Sequence, residues 1–108
     1  MVAVDELLPE LLLASAPRVA DAIRHRVFGA LERGRPQRAS ELLQTLTTYV
    51  DSKLDRRLAA RRLHVHSNTL DYRLRQVHEL SGLDVHRPDD LVLVVLALRQ
   101  CELTMSSE

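Results

Sequence analysis

The 108-residue chain has a single cysteine, Cys101, no tryptophan, one phenylalanine, two tyrosines, three glycines and four prolines. One cysteine excludes an internal disulfide framework and a cysteine-based zinc site. So few glycines and prolines argue against a turn-dense all-β fold. The scarcity of rings excludes an aromatic platform of the kind that stacks single-stranded bases. The longest apolar run, Leu91–Leu98, is far too short to cross a bilayer. Asp5, Glu6 and Glu10 interrupt the N-terminal apolar stretch, so no secretory leader is expected there. The expectation is a soluble, cytoplasmic chain with no membrane contact. Net charge is also missing: 15 Lys+Arg stand against 15 Asp+Glu.

That balance hides a pattern. Residues 18–38 carry six arginines against Asp21 and Glu32. Residues 53–78 carry Lys53 and six arginines against Asp55 and Asp71. The remaining stretches are acidic. A chain without net charge can still draw a polyanion to such a segment. A solvated helix face explains the same run, since basic runs are weak signals.

With 45% hydrophobic residues, mostly Leu, Val and Ala, the chain can build an aliphatic core. The periodicity predicts an all-α bundle of about five or six short helices. The first covers about 5–14, with Leu7, Leu8, Leu11 and Leu12 at helical spacing. The second opens at Pro17, a residue suited to a first turn, and carries Val19, Ile23, Val27 and Ala30 or Leu31. Gly34 and Pro36 punctuate its end. The third covers about 36–50 with the stripe Ala39, Leu42, Leu43, Leu46, Tyr49 and Val50. A short fourth helix, about 56–63, has Asp55 as N-cap. The fifth covers about 67–80, with Leu70, Leu74 and Val77 inward and Gly82 as its left-handed stop. The sixth, about 88–103, opens at Pro88 with Asp89 and Asp90 by its positive end. Its apolar run also suits a buried strand, but no partner strand is evident. The expected organisation is a helical linker or arm over 1–35, a main helical unit over 36–103, whose role its motifs suggest, and a tail over 104–108.

The fourth and fifth helices, separated by His64-Val65-His66, form a helix-turn-helix pattern. Ala59 and Ala60 are small enough for a close, steep crossing, and Val65 is the apolar plug of the turn. Burying Leu70 and Leu74 leaves Asn68, Asp71, Tyr72 and Arg75 on the opposite face, flanked by Ser67, Thr69 and Arg73. Asn and Arg can bond adenine and guanine edges bidentately. Hydroxyls and first-turn amides can hold phosphate. Arg56 and Arg57, opening the preceding helix, are placed for backbone contacts. Asp71 has two readings: an acceptor for a cytosine amino group, or an orienting partner for Arg75 at i+4. A surface helical hairpin without DNA would have the same spacing.

The stretch Leu58-Ala59-Ala60-Arg61-Arg62-Leu63-His64-Val65-His66-Ser67-Asn68-Thr69-Leu70-Asp71-Tyr72-Arg73-Leu74-Arg75, followed by Glu79-Leu80-Ser81-Gly82-Leu83-Asp84, resembles the C-terminal helix-turn-helix domain of PucR/CdaR-like bacterial transcriptional regulators. The flanks ELLQTLTTYVDS and RPDDLVLVVLAL look like that domain's neighbouring helices, so the likeness covers about 40–102. Residues 5–35 look like the segment that joins it to an upstream sensory region. The resemblance implies promoter binding. It places His66, Ser67, Asn68, Thr69, Tyr72, Arg73 and Arg75 at the DNA-reading region. Ser67 stands where such regulators often carry Pro or Arg, and His64 where the wider helix-turn-helix class often carries Gly. A positive φ at His64 would carry a steric cost.

Other chemistries find little support. His64 and His66 lack further ligands at a recognisable spacing, so no metal and no cofactor are expected. Cys101 reads as a packed thiol. Phosphate-loop, dinucleotide and nucleophile-elbow motifs are absent, and an enzyme is not expected. The expected partners are double-stranded DNA and a second copy of the chain, with any small-molecule effector bound outside this segment. The competing reading is a helical protein–protein interaction or dimerisation module. Its seam would be the sixth helix with Leu7, Leu8, Leu11, Leu12 and Leu13, residues that packing within one monomer would equally explain.

Overall fold

A computed structural model describes residues 7–106. It holds six α-helices: α1 (Leu8–Ser15), α2 (Pro17–Arg24), α3 (Pro36–Asp51), α4 (Arg56–Arg62), α5 (Ser67–Ser81) and α6 (Pro88–Ser106). No strand occurs among the described residues. Asp5 and Glu6, expected in the first helix, lie outside them. The helix α6 continues through Ser106, into the stretch expected to be a tail. The apolar run at 91–98 is helical, as its N-terminal punctuation indicates.

The second helix departs from a uniform helical stripe. After Arg24 the chain widens into a π-turn over His25–Gly29 before a last helical turn at Ala30 and Leu31. Val19 is exposed, and Ala20 takes the buried position instead. Ala20 and Val27, seven apart, are both buried, and Ile23 between them is half-buried. Gly34 does not adopt a left-handed conformation, which among the glycines falls to Gly82 (φ 76°).

One buried cluster joins Val27, Leu31, Leu42, Leu46, Ala59, Leu70, Val77 and Val94, so the N-terminal helical stretch shares its core with the remainder. Against α6 lie both α1 and α2, while α3 packs on α4 and α5. Arg26 in the π-turn donates to the Ser81 carbonyl at 2.6 Å. The Ser81 hydroxyl donates to the Val77 carbonyl at 2.6 Å and accepts from the Leu83 amide at 3.1 Å. Asp90 accepts from the Asp84 amide at 3.0 Å, tying the start of α6 to the turn after α5.

The turn between α4 and α5 is set by its hydrogen bonds. Val65 N–H donates to the Ala60 carbonyl at 3.0 Å, and His64 N–H to the Arg61 carbonyl at 3.1 Å. This is the paired closure of a Schellman motif, with His64 at φ 58° in the place usually held by glycine. The end of α3 repeats it: Leu54 N–H donates to Tyr49 and Lys53 N–H to Val50, with Lys53 and Leu54 both at positive φ. Ala59 and Ala60 are buried where α4 meets α5, as their size requires.

Candidate nucleic-acid interface

Helix α5 is fixed from beneath by Leu70, Leu74 and Val77, all buried. Its opposite face carries Asn68, Tyr72 and Arg75, all exposed, with Ser67, Thr69 and Asp71 partly covered. Tyr72 is 51% exposed and accepts at its hydroxyl from Gln76 Nε2 at 3.1 Å. Arg38 of α3 stands over the Tyr72 ring, 5.5 Å from its centroid. The ring is therefore held from two sides while its outer edge faces solvent.

His66 serves α5 before any ligand. It is the N-cap: its Nδ1 accepts from the Asn68 amide at 3.0 Å. Acceptance at Nδ1 in the neutral imidazole puts the proton on Nε2. The cap fixes the backbone from which Ser67 and Asn68 project. Asp55 caps α4 as expected, accepting from the Leu58 amide at 3.1 Å.

Asp71 is not paired with Arg75. Both of its carboxylate oxygens are taken by Arg56, from Nε at 2.8 Å and from the second nitrogen at 2.9 Å. The two helices are thus laced together on their outer side, and Arg56 is partly neutralised before it meets any phosphate. The sequence offered Arg75 at i+4 as one of two readings and did not offer Arg56, because contact across the turn is invisible to spacing. Arg73 is likewise turned inward, with 16% side-chain exposure. Its Nε lies 2.9 Å from Glu41 Oε1, an ion-pair contact without hydrogen-bond alignment. A second nitrogen of Arg73 donates to Thr45 Oγ1 at 3.5 Å. Arg73 therefore belongs to the α3–α5 contact, although the resemblance groups it with the reading residues.

Arg57, Arg61 and Arg75 are exposed and make no ion pair among the described residues. Arg57, Arg61 and Ser67 rim a shallow hollow across the mouth of the two helices. A second hollow of about 450 Å³ lies between Arg56, Arg75, His78 and His86. Beneath Arg56 and Asp71, burial pushes the Tyr49 phenol above its usual value, with Arg56 opposing and Asp71 reinforcing the shift. No cluster of metal-ligating side chains occurs among the described residues. Sequence reasoning missed Arg38 and Glu41. Their i,i+3 spacing was visible, but their reach to Tyr72 and Arg73 was not.

The family described as the PucR C-terminal helix-turn-helix domain matches residues 42–100, more than half of the chain. The chain is 37% identical over 65 residues to the purine catabolism regulatory protein of Bacillus subtilis, covering 60% of this chain and 12% of that protein. It is 36% identical over 58 residues to the carbohydrate diacid regulator of Escherichia coli, covering 54% and 15%. It thus spans well under a fifth of each of these relatives. A regulator of polyketide synthase expression from Bifidobacterium adolescentis superposes with a TM-score of 0.68 at 27% identity, over 95% of this chain and 42% of that one. The motif, the exposed face of α5 and these matches agree, and the chain belongs to the family of PucR C-terminal helix-turn-helix domains.

Proposed function

We propose that this chain is the sequence-specific double-stranded DNA-binding domain of a bacterial transcriptional regulator, with α5 entering the major groove. The observation that carries this reading is the division of α5 into a buried apolar face and an exposed face of Asn68, Tyr72 and Arg75. A ridge of that kind presents base-reading groups without disturbing the core. Asn68 and Arg75 read base edges, with Ser67 and Tyr72 beside them. Arg57, the Thr69 hydroxyl and the Ser67 amide at the start of α5 meet phosphate. Arg56, Asp71, His66 and Arg73 hold these groups in place. The domain works in the cytoplasm without a cofactor, and any effector binds elsewhere in a longer regulator.

Operator binding through one short helix is weak, so the working state is a homodimer with reading helices about 34 Å apart. Exposed Leu7, Leu8, Leu11, Leu12, Val19 and Val92 supply apolar surface for its seam. The same exposure favours a second reading, a protein-interaction module without DNA. Selection of bound sequences from a random duplex library separates the two. Recovery of paired half-sites about one helical turn apart supports the DNA reading; failure to enrich any sequence, with a dimer by mass, supports the second.

A further inference from the structure

We infer that the DNA-facing surface extends beyond the helix-turn-helix onto the basic segment ahead of α3, where Arg33 and Arg35 take phosphates beside the groove that α5 enters. The inference rests on the DNA reading above. It concerns residues that precede the matched family region, which begins at residue 42.

Placement carries the argument. Arg38 is three residues from Arg35 and stands 5.5 Å from the centroid of the Tyr72 ring. Tyr72 lies on the exposed face of α5, so the start of α3 flanks that face. Residues 32–37 are exposed throughout. Arg33 and Arg35 make no ion pair among the described residues. The nearby carboxylate of Glu41 is occupied by Arg38 and Arg73. Glu32 lies beside them, also exposed and without an ion pair among the described residues, so both guanidinium groups face water with a net positive charge next to the side of α5 that meets DNA.

The segment is also anchored. Leu31 (2% exposed) precedes it and Leu42 (0%) follows it in the core, and Pro36 fixes the backbone between. A basic strap held at both ends loses less conformational freedom on binding than a free arm. Arginine suits the task because its fork matches phosphate geometry. A duplex lying along α5 presents one negative charge per about 1.7 Å of axis, so backbone phosphates flank any groove that α5 occupies.

The test uses the full chain and a mixed-sequence duplex of about three helical turns. Binding is followed by fluorescence anisotropy over a series of KCl concentrations. Each phosphate contact contributes about 0.9 to the slope of log K against log salt. Replacing both arginines (R33Q/R35Q) should lower that slope by about 1.8 and weaken binding at low salt by about tenfold or more. A slope equal to the parent's overturns the inference. The parallel variant R57Q/R75Q tests the underlying reading. If it lowers the slope and R33Q/R35Q does not, the extension alone fails. If neither changes the slope, or the parent does not bind the duplex, the DNA reading fails with it. Urea melting of R33Q/R35Q should match the parent, because both residues are exposed and make no ion pair among the described residues; a destabilised variant with unchanged slope also counts against the inference.

Discussion

Arg26 and Ser81 meet across 55 positions of sequence: the guanidinium donates to the carbonyl at 2.6 Å, at the point where α5 ends. The last carbonyls of a helix have no partner within it, and a cation is favoured there. Arg26 comes from the π-turn of the N-terminal stretch, so that stretch closes the C-terminal end of α5. Gly82 follows at φ 76°, and a Cβ built there would stand 3.7 Å from the Arg26 guanidinium.

Arg26→Ala should therefore cost about 1.5–2 kcal/mol, in the lower part of the range for hydrogen bonds to charged groups because the contact is partly wet. A lower urea midpoint with unchanged slope in equilibrium unfolding would register it. Amide exchange at Gly82 and Leu83 should accelerate more than exchange in α3. An unchanged midpoint would show that the clamp contributes nothing.

Asp71 places a carboxylate on the face proposed to meet DNA, and Arg56 covers it. The pair is about half exposed on both sides, so its worth to stability is about 0–1 kcal/mol. Its larger consequence is electrostatic. Asp71→Asn removes a charge that repels phosphate and releases Arg56. Affinity for a mixed-sequence duplex at low salt should rise several-fold, with a steeper salt dependence. In the double variant with Arg56→Gln the gain should largely vanish. Weaker binding by Asp71→Asn alone would show that Arg56 must be held by Asp71 to act.

How far the sequence reached depends on the range of each interaction. Helix type and most boundaries were legible because they rest on local periodicity and punctuation: Pro17, Pro36 and Pro88 each open a helix, and Gly82 closes one. The face of α5 was legible for the same reason, since burying Leu70 and Leu74 fixes which residues point away. The π-turn at His25–Gly29 was not, because one extra residue in a turn barely alters an apolar stripe. The partners of Asp71 and Arg73 were also hidden. Arg56 lies 15 positions from Asp71 and Glu41 lies 32 from Arg73, and only the docking of α3 and α4 on α5 brings them together.

His64 holds a left-handed backbone in the turn on which the crossing of α4 and α5 depends. A non-glycine residue there is strained by about 1–2 kcal/mol. Glycine relieves this and gives back about 0.5–1 kcal/mol through its greater freedom in the unfolded chain. His64→Gly should thus stabilise the domain by about 0.5–1 kcal/mol, read as a higher melting temperature. DNA binding should be preserved if His64 acts only through the backbone. A loss of affinity in a stabilised variant would assign the imidazole a contact of its own.

Tyr49 supplies a pH test of the packing beneath the Arg56–Asp71 pair. It is 5% exposed, and burial is the main cause of the rise in its pKa above the ordinary 10.0. Arg56 pulls the value down and Asp71 pushes it up, both by smaller amounts. The folded chain therefore keeps its phenolic proton at a pH where the unfolded chain has released it. Stability from this source is complete below about pH 10 and falls as pH rises from there through the folded value, by at most about 1.4 kcal/mol per pH unit. Urea midpoints taken from pH 8 to 11 should decline more steeply above pH 10 in the parent than in Tyr49→Phe, which has no proton to lose. The two proteins differ at this one side chain, so the difference between their profiles isolates Tyr49. Asp71→Asn should leave the onset in place and end the decline at a slightly lower pH, because it removes the carboxylate that discourages the phenolate in the folded chain. Parallel profiles for parent and Tyr49→Phe would show that the phenol reaches water in the folded state and that the helices above it are packed less closely than the structure has them.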